Sequence, residues 1–254
     1  MTLKTRIVGP QEGHQHTHTV IFLHGKGSDC DEFSSEFLEM EASKPRDQPR
    51  TLLDLLPTIR WVFPSAPLTR SERFDCTESQ WFDMWSVERP NERPELQISG
   101  LKQSIELVKE IVKQEEALVP RKKIFLGGIS QGFATVYAAF ASGDNKAYAG
   151  LLGFCTWAPS AGLALIQKDQ EETSSITEDE EQFTPVFLGH SQDDEVVPIK
   201  EGLDLYHILR ERGNDRVTFC EYKNGGHWIN EPEGVDNIVA FIRLNTRNKT
   251  LYDR

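Results

Sequence analysis

The chain has 254 residues, enough for one large α/β domain or two small ones, and 38% of them are hydrophobic. Its formal net charge of −12 argues against a nucleic-acid partner or charge-driven binding to an anionic membrane, because both need a basic surface. No apolar run approaches the roughly 20 residues that span a bilayer, and the first ten residues lack an apolar signal core. We therefore expect a cytoplasmic protein without stable membrane insertion, whose oligomeric state the sequence leaves open.

Short apolar runs alternate with longer amphipathic stretches along the chain. The runs predict strands at residues 19–25, 58–67, 122–128, 148–159, 184–190 and 216–222. Helical spacing of apolar residues predicts helices at 30–42, 98–118 and 131–141, near 199–212 and near 234–246. Strands this short and this apolar are typical of a parallel sheet covered on both faces. The alternation predicts one α/β domain over residues 1–254, with a mostly parallel central sheet and helices on both faces.

Two stretches fit no regular element. Residues 68–96 are charged and contain proline, with three large aromatic residues near the middle. Loops of this length inside a domain are usually functional lids or disordered segments, so we predict a lid-like loop there. Residues 168–182 hold seven acidic side chains, which predicts an acidic surface loop exposed to solvent.

Cysteine and histidine usage gives no sign of a metal site. Four cysteines are widely separated and form no Cys-x-x-Cys pair: Cys30, Cys76, Cys155 and Cys220. That spacing is typical of reduced thiols rather than of a disulfide framework or a zinc site. His14, His16 and His18 would share one face of a strand, but no carboxylate or cysteine stands nearby in sequence to complete a ligand set. We expect a polar strand entry there, and neither a metal nor a cofactor.

The sequence Gly128-Ile129-Ser130-Gln131-Gly132 stands between a predicted strand and a predicted helix. The pattern Gly-x-Ser-x-Gly alone arises by chance in roughly one chain of this length in ten, so its context decides. A preceding strand and a following helix are typical of a nucleophile elbow, where flanking glycines permit a tight turn. The helix N-terminus would offer the N–H of Gln131 to a developing oxyanion. Ser130 is therefore the candidate nucleophile.

A serine nucleophile needs an adjacent base, and in this fold the chain order is serine, acid, histidine. Three histidines follow Ser130. His207 lies in a helical stretch, and His190 precedes the acidic candidates, which is the wrong order. His227 lies in a glycine-rich loop after the last predicted strand, where this fold places its general base. Order and position favour His227.

The acid is expected in the loop after the strand at 184–190. Asp193, Asp194 and Glu195 all compete there, and spacing alone does not choose among them. One carboxylate is enough to orient the imidazole and stabilise its protonated form. A second oxyanion donor is expected after an early strand, where His-Gly-Lys-Gly offers the N–H of Lys26 or of its neighbour.

Six segments together resemble one family: VIFLHGKGSD, FPSAP, QWFDMWS, IFLGGISQGFA, GHSQDDEVVP and GGHW. They stand in the order and roughly the spacing of the acyl-protein thioesterase family, also called the lysophospholipase or phospholipase/carboxylesterase family. The resemblance covers about residues 18–243. It implies an α/β-hydrolase fold and a serine carboxylesterase or acyl-protein thioesterase activity that uses no metal or organic cofactor.

The resemblance also implies roles for individual residues. The family's catalytic positions fall on Ser130, His227 and Asp194, the last because its acid is followed by two residues and then Val-Pro. The family's oxyanion donors fall on the backbone N–H groups of Lys26 and Gln131. Trp81 falls on the tryptophan of the family's Trp-Phe-Asp segment, near the acyl site.

Three departures from the family pattern bear on the substrate. Lys26 stands where the family usually has an apolar residue, and Phe133 stands where it usually has glycine, so both are expected to border the substrate. The segment before Trp-Phe-Asp is charged, whereas mammalian-type thioesterases carry an apolar lid there. A long acyl chain gains roughly 0.8 kcal/mol per buried CH₂ only in a continuous apolar channel. We therefore expect short to medium acyl chains.

The leading hypothesis is a serine hydrolase that acts on a small-molecule acyl ester or on an acylated protein. The rival is a non-catalytic α/β-hydrolase-fold protein that holds a small ligand without turnover, because a fold does not determine a function. Completeness of the triad discriminates between them, and all three members are present in the sequence. The sequence leaves open whether the bond is an ester or a thioester, and which leaving group it carries.

Overall fold

The computed structural model describes residues 3–143, 147–162 and 184–247. Its strands are β1 (Thr5–Val8), β2 (His18–Leu23), β3 (Ile59–Pro64), β4 (Leu68–Ser71), β5 (Cys76–Ser79), β6 (Ile124–Ile129), β7 (Gly150–Phe154), β8 (Val186–Ser191) and β9 (Val217–Tyr222). Its helices include α1 (Cys30–Glu39), α2 (Leu52–Leu55), α3 (Gln97–Glu116), α4 (Gln131–Ala141), α5 (Ile199–Glu211) and α6 (Glu233–Thr246). Short 3₁₀ turns occupy Pro94–Leu96 and Arg121–Lys123.

The described strands form one seven-stranded sheet in the order β1-β3-β2-β6-β7-β8-β9, apart from the separate pair β4-β5. Every neighbouring pair of that sheet is parallel except β1 and β3, so the predicted mostly parallel sheet is confirmed. Sequence reasoning missed β1, because this edge strand is short and only partly buried and therefore shows no apolar run. The parallel strands all end at one edge of the sheet, and the loops that follow them meet there.

Helices cover both faces of the sheet, as predicted. On β2, Ile21 and Leu23 face the core beneath α3, α4 and α5. Val20 and Phe22 face the opposite core, which α1, α2 and α6 cover. This alternation follows from the two-residue period of a strand, and it explains why the central strands are apolar at every position.

The segment 68–96, which we predicted to be a lid-like loop without regular elements, is regular in part. Its first part is an antiparallel hairpin in which β4 pairs with β5 from Leu68 opposite Ser79 to Ser71 opposite Cys76. Its centre is buried, with Trp81 only 1% exposed. Polar and charged residues on a largely exposed hairpin gave no strand signal, whereas the tryptophan is buried because it packs into the core beneath α3 and α4. The predicted acidic loop at 168–182 lies outside the described residues.

The three N-terminal histidines do not share one strand. Of the three N-terminal histidines, only His18 lies in a strand, and burial lowers its pKa to about 4. His14 and His16 precede β2 in an irregular segment, so the predicted strand entry is shorter than expected. All four cysteines lie in the described residues and are unpaired.

Two glycines permit the tight turn between β6 and α4. A Cβ on Gly128 would lie 2.6 Å from the backbone nitrogen of Phe133. A Cβ on Gly132 would meet the carbonyl oxygen of Leu23 and would lie 2.5 Å from that of His24. Only glycine allows α4 to begin this close to the end of β2.

Replacing Gly132 with alanine is expected to lower the free energy of unfolding by about 2–3 kcal/mol, because the methyl group can be accommodated only by moving backbone carbonyls. Urea unfolding of the two proteins measures the difference. Gly9→Ala is the matched control, since a Cβ at Gly9 has no neighbour within 4 Å and a change of at most about 0.5 kcal/mol is expected. Equal stability of the Gly132 and Gly9 variants would contradict the proposed close approach.

Candidate active site

Ser130 has a strained backbone conformation at the turn between β6 and α4. Its φ of 54° and ψ of −127° are unusual for a residue with a side chain. Two hydrogen bonds from the neighbouring strand end hold this conformation: the Ser130 N–H donates to the carbonyl of Phe154 at 2.8 Å, and Thr156 Oγ1 donates to the Ser130 carbonyl at 2.9 Å. The nucleophile-elbow geometry predicted from the motif is therefore present.

His227 and Asp194 form a direct hydrogen bond. His227 Nδ1 lies 2.8 Å from Asp194 Oδ2, and the other carboxylate oxygen accepts the N–H groups of Val196 and Val197, both at 2.9 Å. Burial alone would raise the pKa of Asp194, but the hydrogen bonds from His190, His227 and Val197 outweigh it and lower the pKa well below its usual range. The carboxylate is thus ionised at neutral pH, and Nδ1 of His227 must carry the proton.

The structure distinguishes the three acidic candidates that spacing left open. Asp194 is buried against His227, whereas the neighbouring Asp193 is exposed and accepts the N–H of Gly226 at 2.9 Å. Glu195 is exposed to solvent. Asp193 therefore holds the backbone of the loop that carries His227, and Asp194 contacts its imidazole.

Sequence reasoning gave no role to His190, which contacts the same carboxylate from the other side. Its Nε2 lies 2.9 Å from the Val197 carbonyl and 3.2 Å from Asp194 Oδ2, and its side chain is 1% exposed. The donor at Nε2 stabilises the Asp194 carboxylate and fixes the turn that follows it. The four-residue spacing between His190 and Asp194 was the only sequence signal for this contact.

Cys155 connects the loop of His227 to the strand end that holds Ser130. Its Sγ lies 3.4 Å from the Trp228 carbonyl, and the preceding residue, Phe154, accepts the Ser130 N–H. Ser130 follows β6 and Asp194 follows β8, on either side of β7, and adjacent strands are spaced by about 4.8 Å. Burial raises the pKa of the Cys155 thiol well above its usual value, so the thiol stays protonated and does not compete as a nucleophile.

The loop after β2 is fixed by the buried side chain of His24. The Ala66 N–H donates to His24 Nε2 at 2.9 Å, so the ring proton must be on Nδ1, which donates to the Gly25 carbonyl at 2.7 Å. Burial lowers the pKa of His24, in agreement with a neutral ring. A Cβ on Gly25 would lie 3.6 Å from Ser130 Cβ, so this loop runs directly beside the candidate nucleophile. Lys26 is the next residue.

The hairpin β4-β5 braces the same loop. The Gly27 N–H donates to the Ser79 carbonyl at 2.7 Å. Lys26 Nζ forms an ion pair with Glu78, and both side chains are largely buried, at 15% and 22% exposed. The positive charge of Lys26, which is a departure from the family pattern, is therefore balanced within the protein.

Gln131 and Trp81 join the start of α4 to the loop after β2. The side chain of Gln131 accepts the Trp81 N–H and donates to the Phe82 carbonyl, both at 2.8 Å. The Trp81 indole N–H donates to the His24 carbonyl at 2.8 Å. As the first residue of α4, Gln131 has no partner for its own N–H within the helix, so this donor is available to a ligand.

The expectation that Trp81 and Phe133 contact the substrate is not supported by their surroundings. Trp81 is 1% exposed, and its indole N–H donates to the His24 carbonyl in the loop after β2. The Phe133 ring is completely buried and fills the space left by Gly153, where a Cβ would lie 2.6 Å from the ring. A bulky residue follows the nucleophile motif because β7 has a glycine opposite it, a pairing across elements that sequence order does not reveal. In this conformation neither side chain offers a surface to the substrate.

A cavity of about 120 Å³ lies beside Lys26. Its lining includes Lys26, Arg73, Phe74, Met84, Trp85 and Glu88. Most of these residues belong to the segment 68–96, so the hairpin and the chain after it form one wall of the candidate site.

Two groups of potential metal ligands occur in the described residues. Cys155, His190 and Asp194 have ligand atoms within 4.8 Å of one another, as do Asp29, Cys30 and Asp31. In the first group Asp194 is already bonded to two histidines, and in the second Asp29 caps helix α1 by accepting the N–H of Asp31 at 2.8 Å. The acceptor atoms therefore serve the protein's own structure.

Within residues 3–143, 147–162 and 184–247, no helix combines the length and apolar character that a membrane crossing requires.

Comparison with known proteins places the chain in the family that the motifs resembled. A model of the phospholipase/carboxylesterase family matches residues 4–246. Acyl-protein thioesterase 1 of Candida albicans is 27% identical over 239 residues, covering 92% of this chain and 94% of that relative. Acyl-protein thioesterase 1 of Gibberella zeae is 29% identical over 238 residues, covering 90% of this chain and 91% of that relative.

Comparison with solved structures supports the same fold. The crystal structure of Zea mays acyl-protein thioesterase 2 matches with a TM-score of 0.73 at 24% identity, covering 97% of this chain and 100% of that one. The likeness confirms the predicted α/β-hydrolase fold. Because the family model spans almost the whole sequence, the chain belongs to the phospholipase/carboxylesterase family and is a hydrolase enzyme.

Proposed function

We propose that this hydrolase cleaves carboxylic esters or thioesters through an acyl-enzyme on Ser130. The 2.8 Å hydrogen bond between His227 and Asp194 carries the proposal. It keeps the proton of the neutral imidazole on Nδ1 and leaves the lone pair on Nε2, the arrangement that a general base requires. Ser130, on its strained turn, stands at the same edge of the sheet.

In the first half of the reaction, His227 removes the proton of the Ser130 hydroxyl as the serine attacks the substrate carbonyl. Asp194 stabilises the imidazolium that forms. The developing oxyanion accepts hydrogen bonds from the backbone N–H groups of Lys26 and Gln131. Two fixed donors at this position are worth several kcal/mol, since removing one such donor costs about 2.7–4 kcal/mol in a well-studied hydrolase.

The first half ends when the protonated His227 gives its proton to the leaving group, which departs. In the second half, the neutral His227 removes a proton from the attacking water molecule and then returns it to Ser130 Oγ as the acid product leaves. The water attacks the acyl-enzyme, and the same oxyanion donors stabilise the second tetrahedral intermediate. The segment that holds Trp81 serves both halves, because it fixes His24 on one side and Gln131 on the other. No step requires a residue outside these elements.

The lining of the cavity beside Lys26 supports a preference for substrates with short to medium acyl chains. The cavity of about 120 Å³ has charged groups in its lining, including Lys26, Arg73 and Glu88. Each buried CH₂ of a long chain would gain about 0.8 kcal/mol in an apolar channel, a gain that charged walls do not offer. An acyl group of a few carbons fits without displacing these side chains.

The substrate class follows from the relatives. Those that match most of this chain are named acyl-protein thioesterase, so thioesters on acylated proteins and small acyl esters are both candidate substrates.

Unpaired cysteines support a cytoplasmic location, where thiols stay reduced. One seven-stranded sheet contains both β1, which begins at Thr5, and β9, which ends at Tyr222, and this supports a single domain over residues 1–254.

An active-site fluorophosphonate probe is expected to label the wild-type protein on Ser130, and peptide mapping by mass spectrometry locates the adduct. Ser130→Ala should abolish labelling while leaving the thermal unfolding temperature nearly unchanged. Failure to label Ser130 would rule out the proposed nucleophile. If the wild type turned over no acyl ester while Ser130→Ala still bound one, a ligand-binding protein without turnover would be the correct description.

Asp194→Asn is expected to lower kcat by about 10³–10⁴-fold, because an amide can force the wrong tautomer on His227. Asp193→Asn is the matched control: the amide oxygen still accepts the Gly226 N–H, so kcat should fall less than about fivefold, as for a retained hydrogen bond. Steady-state kinetics on one short ester measures both. Equal losses in the two variants would contradict the assignment of the acid.

A series of p-nitrophenyl esters from acetyl to palmitoyl is expected to give the highest kcat/KM at short to medium chain length. Replacing the ion pair as a whole, with Lys26→Leu and Glu78→Leu together, should shift the optimum toward longer chains by making the wall apolar. A clear maximum at palmitoyl in the wild type would show that the charged wall does not limit the chain.

A further inference from the structure

Arg73 is a solvent-exposed residue that lines the cavity beside Lys26. It lies in the turn between β4 and β5, and its Nη1 donates to the Trp85 carbonyl at 2.6 Å. Its guanidinium lies 5.2 Å from the centre of the Phe74 ring and 5.9 Å from that of Trp85. A guanidinium placed on aromatic faces loses little further freedom when it binds a ligand.

The charges around Arg73 are unevenly paired. Lys26 pairs with Glu78, Arg70 with Asp75, and Arg93 with Glu72. For Arg73, by contrast, no carboxylate of the described residues lies within 4.0 Å of the guanidinium. An arginine has five N–H donors that match the two oxygens of a carboxylate, and Arg73 uses one of them on Trp85.

The cavity contains one opposing charge. Glu88 contributes to the lining, and its carboxylate accepts a hydrogen bond from Ser86 Oγ at 2.7 Å. That bond lowers the pKa of Glu88, with smaller contributions from a backbone hydrogen bond and from the charge of Arg73, so Glu88 is ionised at neutral pH. Glu88 is thus held by Ser86 and does not occupy the fork of the guanidinium.

We propose that this cavity binds a carboxylate at the far end of a short acyl chain, with Arg73 as the residue that recognises it. The preferred substrates are then esters or thioesters of short dicarboxylic acids with one carboxyl group free. The proposal rests on the proposed function and specifies its substrate class. It agrees with the small size of the cavity, whose volume is about 120 Å³.

The acyl side of the substrate fits this cavity better than the leaving group does. The cavity borders the loop whose Gly25 runs beside Ser130, and the acyl group stays bound to Ser130 after the leaving group has departed. A carboxylate held by Arg73 would therefore position the chain through both halves of the reaction. An anion on the leaving group would contact Arg73 only before the first bond breaks.

Two pairs of shape-matched esters test the proposal, with acid release followed by pH-stat titration. Ethyl hydrogen succinate and ethyl 4-methylpentanoate differ only in a carboxylate or an isopropyl group at the end of the acyl chain. Carboxymethyl butanoate and isobutyl butanoate differ in the same way in the leaving group. The wild type is expected to favour ethyl hydrogen succinate over its neutral match by about tenfold or more in kcat/KM, the effect of one charge-assisted hydrogen bond. The leaving-group pair should differ by less than about threefold.

Three variants identify the responsible residue. Arg73→Gln should remove the preference for ethyl hydrogen succinate by raising its KM, while hydrolysis of ethyl 4-methylpentanoate stays within about twofold of wild type. Glu88→Gln should increase the preference, because it removes the opposing charge. Arg70→Gln is the matched control: Arg70 lies on the same hairpin, paired with Asp75, and its variant should keep the wild-type preference.

Several outcomes would overturn the proposal. Among them are a wild-type preference for the neutral acyl ester, a preference found only in the leaving-group pair, and an equal loss on both acyl esters in Arg73→Gln. The last would mean that Arg73 only supports the hairpin, and melting temperatures of the variants would show it. If the wild type hydrolysed ethyl 4-methylpentanoate without preferring the succinate ester, the specificity proposal would fail alone. If it hydrolysed none of the four esters, the proposed function would fail with it.

Discussion

The arrangement of the site depends on the short distance between the start of helix α4 and the end of strand β2. Gly132 brings the first turn of α4 against the carbonyl groups of Leu23 and His24, a distance that no side chain allows. This contact brings the start of α4, whose first residue is Gln131, against the end of β2, which leads into the loop that contains Lys26. These are the two residues to which we assign the oxyanion donors. The strained φ of Ser130 follows from the same turn, because the chain must reverse between a central strand and a helix that packs directly upon it.

The segment between β3 and α3 maintains this arrangement from the outside. The Trp81 indole N–H donates to the His24 carbonyl, and the Trp81 backbone N–H donates to the side chain of Gln131. Both elements to which we assign the oxyanion donors therefore contact one buried tryptophan. The hairpin adds a backbone bond from Gly27 and the ion pair of Lys26 with Glu78. This segment therefore joins two properties of the enzyme. The same chain that holds the oxyanion donors also forms the wall of the cavity in which we place the acyl group.

Asp194 and His227, to which we assign the roles of acid and base, are held by a second set of contacts at the ends of β7, β8 and β9. Asp194 accepts hydrogen bonds from two histidines and two backbone N–H groups, which keeps its carboxylate ionised despite burial. Asp193 holds the loop of His227 through Gly226. Adjacent aspartates thus have separate contacts, one with the imidazole and one with the backbone that carries it.

The sequence predicted the features that depend on local pattern. The apolar runs indicated the central strands, and the six motifs indicated the family whose model matches residues 4–246. Features that depend on contacts between distant elements were missed. Phe133 was expected to border the substrate, because nothing in the sequence shows that Gly153 lies opposite it. The hairpin was missed because its residues are polar and charged, and only the structure shows its contacts with the oxyanion loop.

In the proposed mechanism, the acyl group of the substrate is transferred to Ser130 before water releases it. Rapid acid quenching during turnover of p-nitrophenyl butanoate, followed by digestion and mass spectrometry, tests this most directly. The account predicts a butanoyl group on the peptide that contains Ser130, formed within the first turnover and absent from Ser130→Ala. Turnover with no acylated peptide, or with the acyl group on another residue, would contradict it.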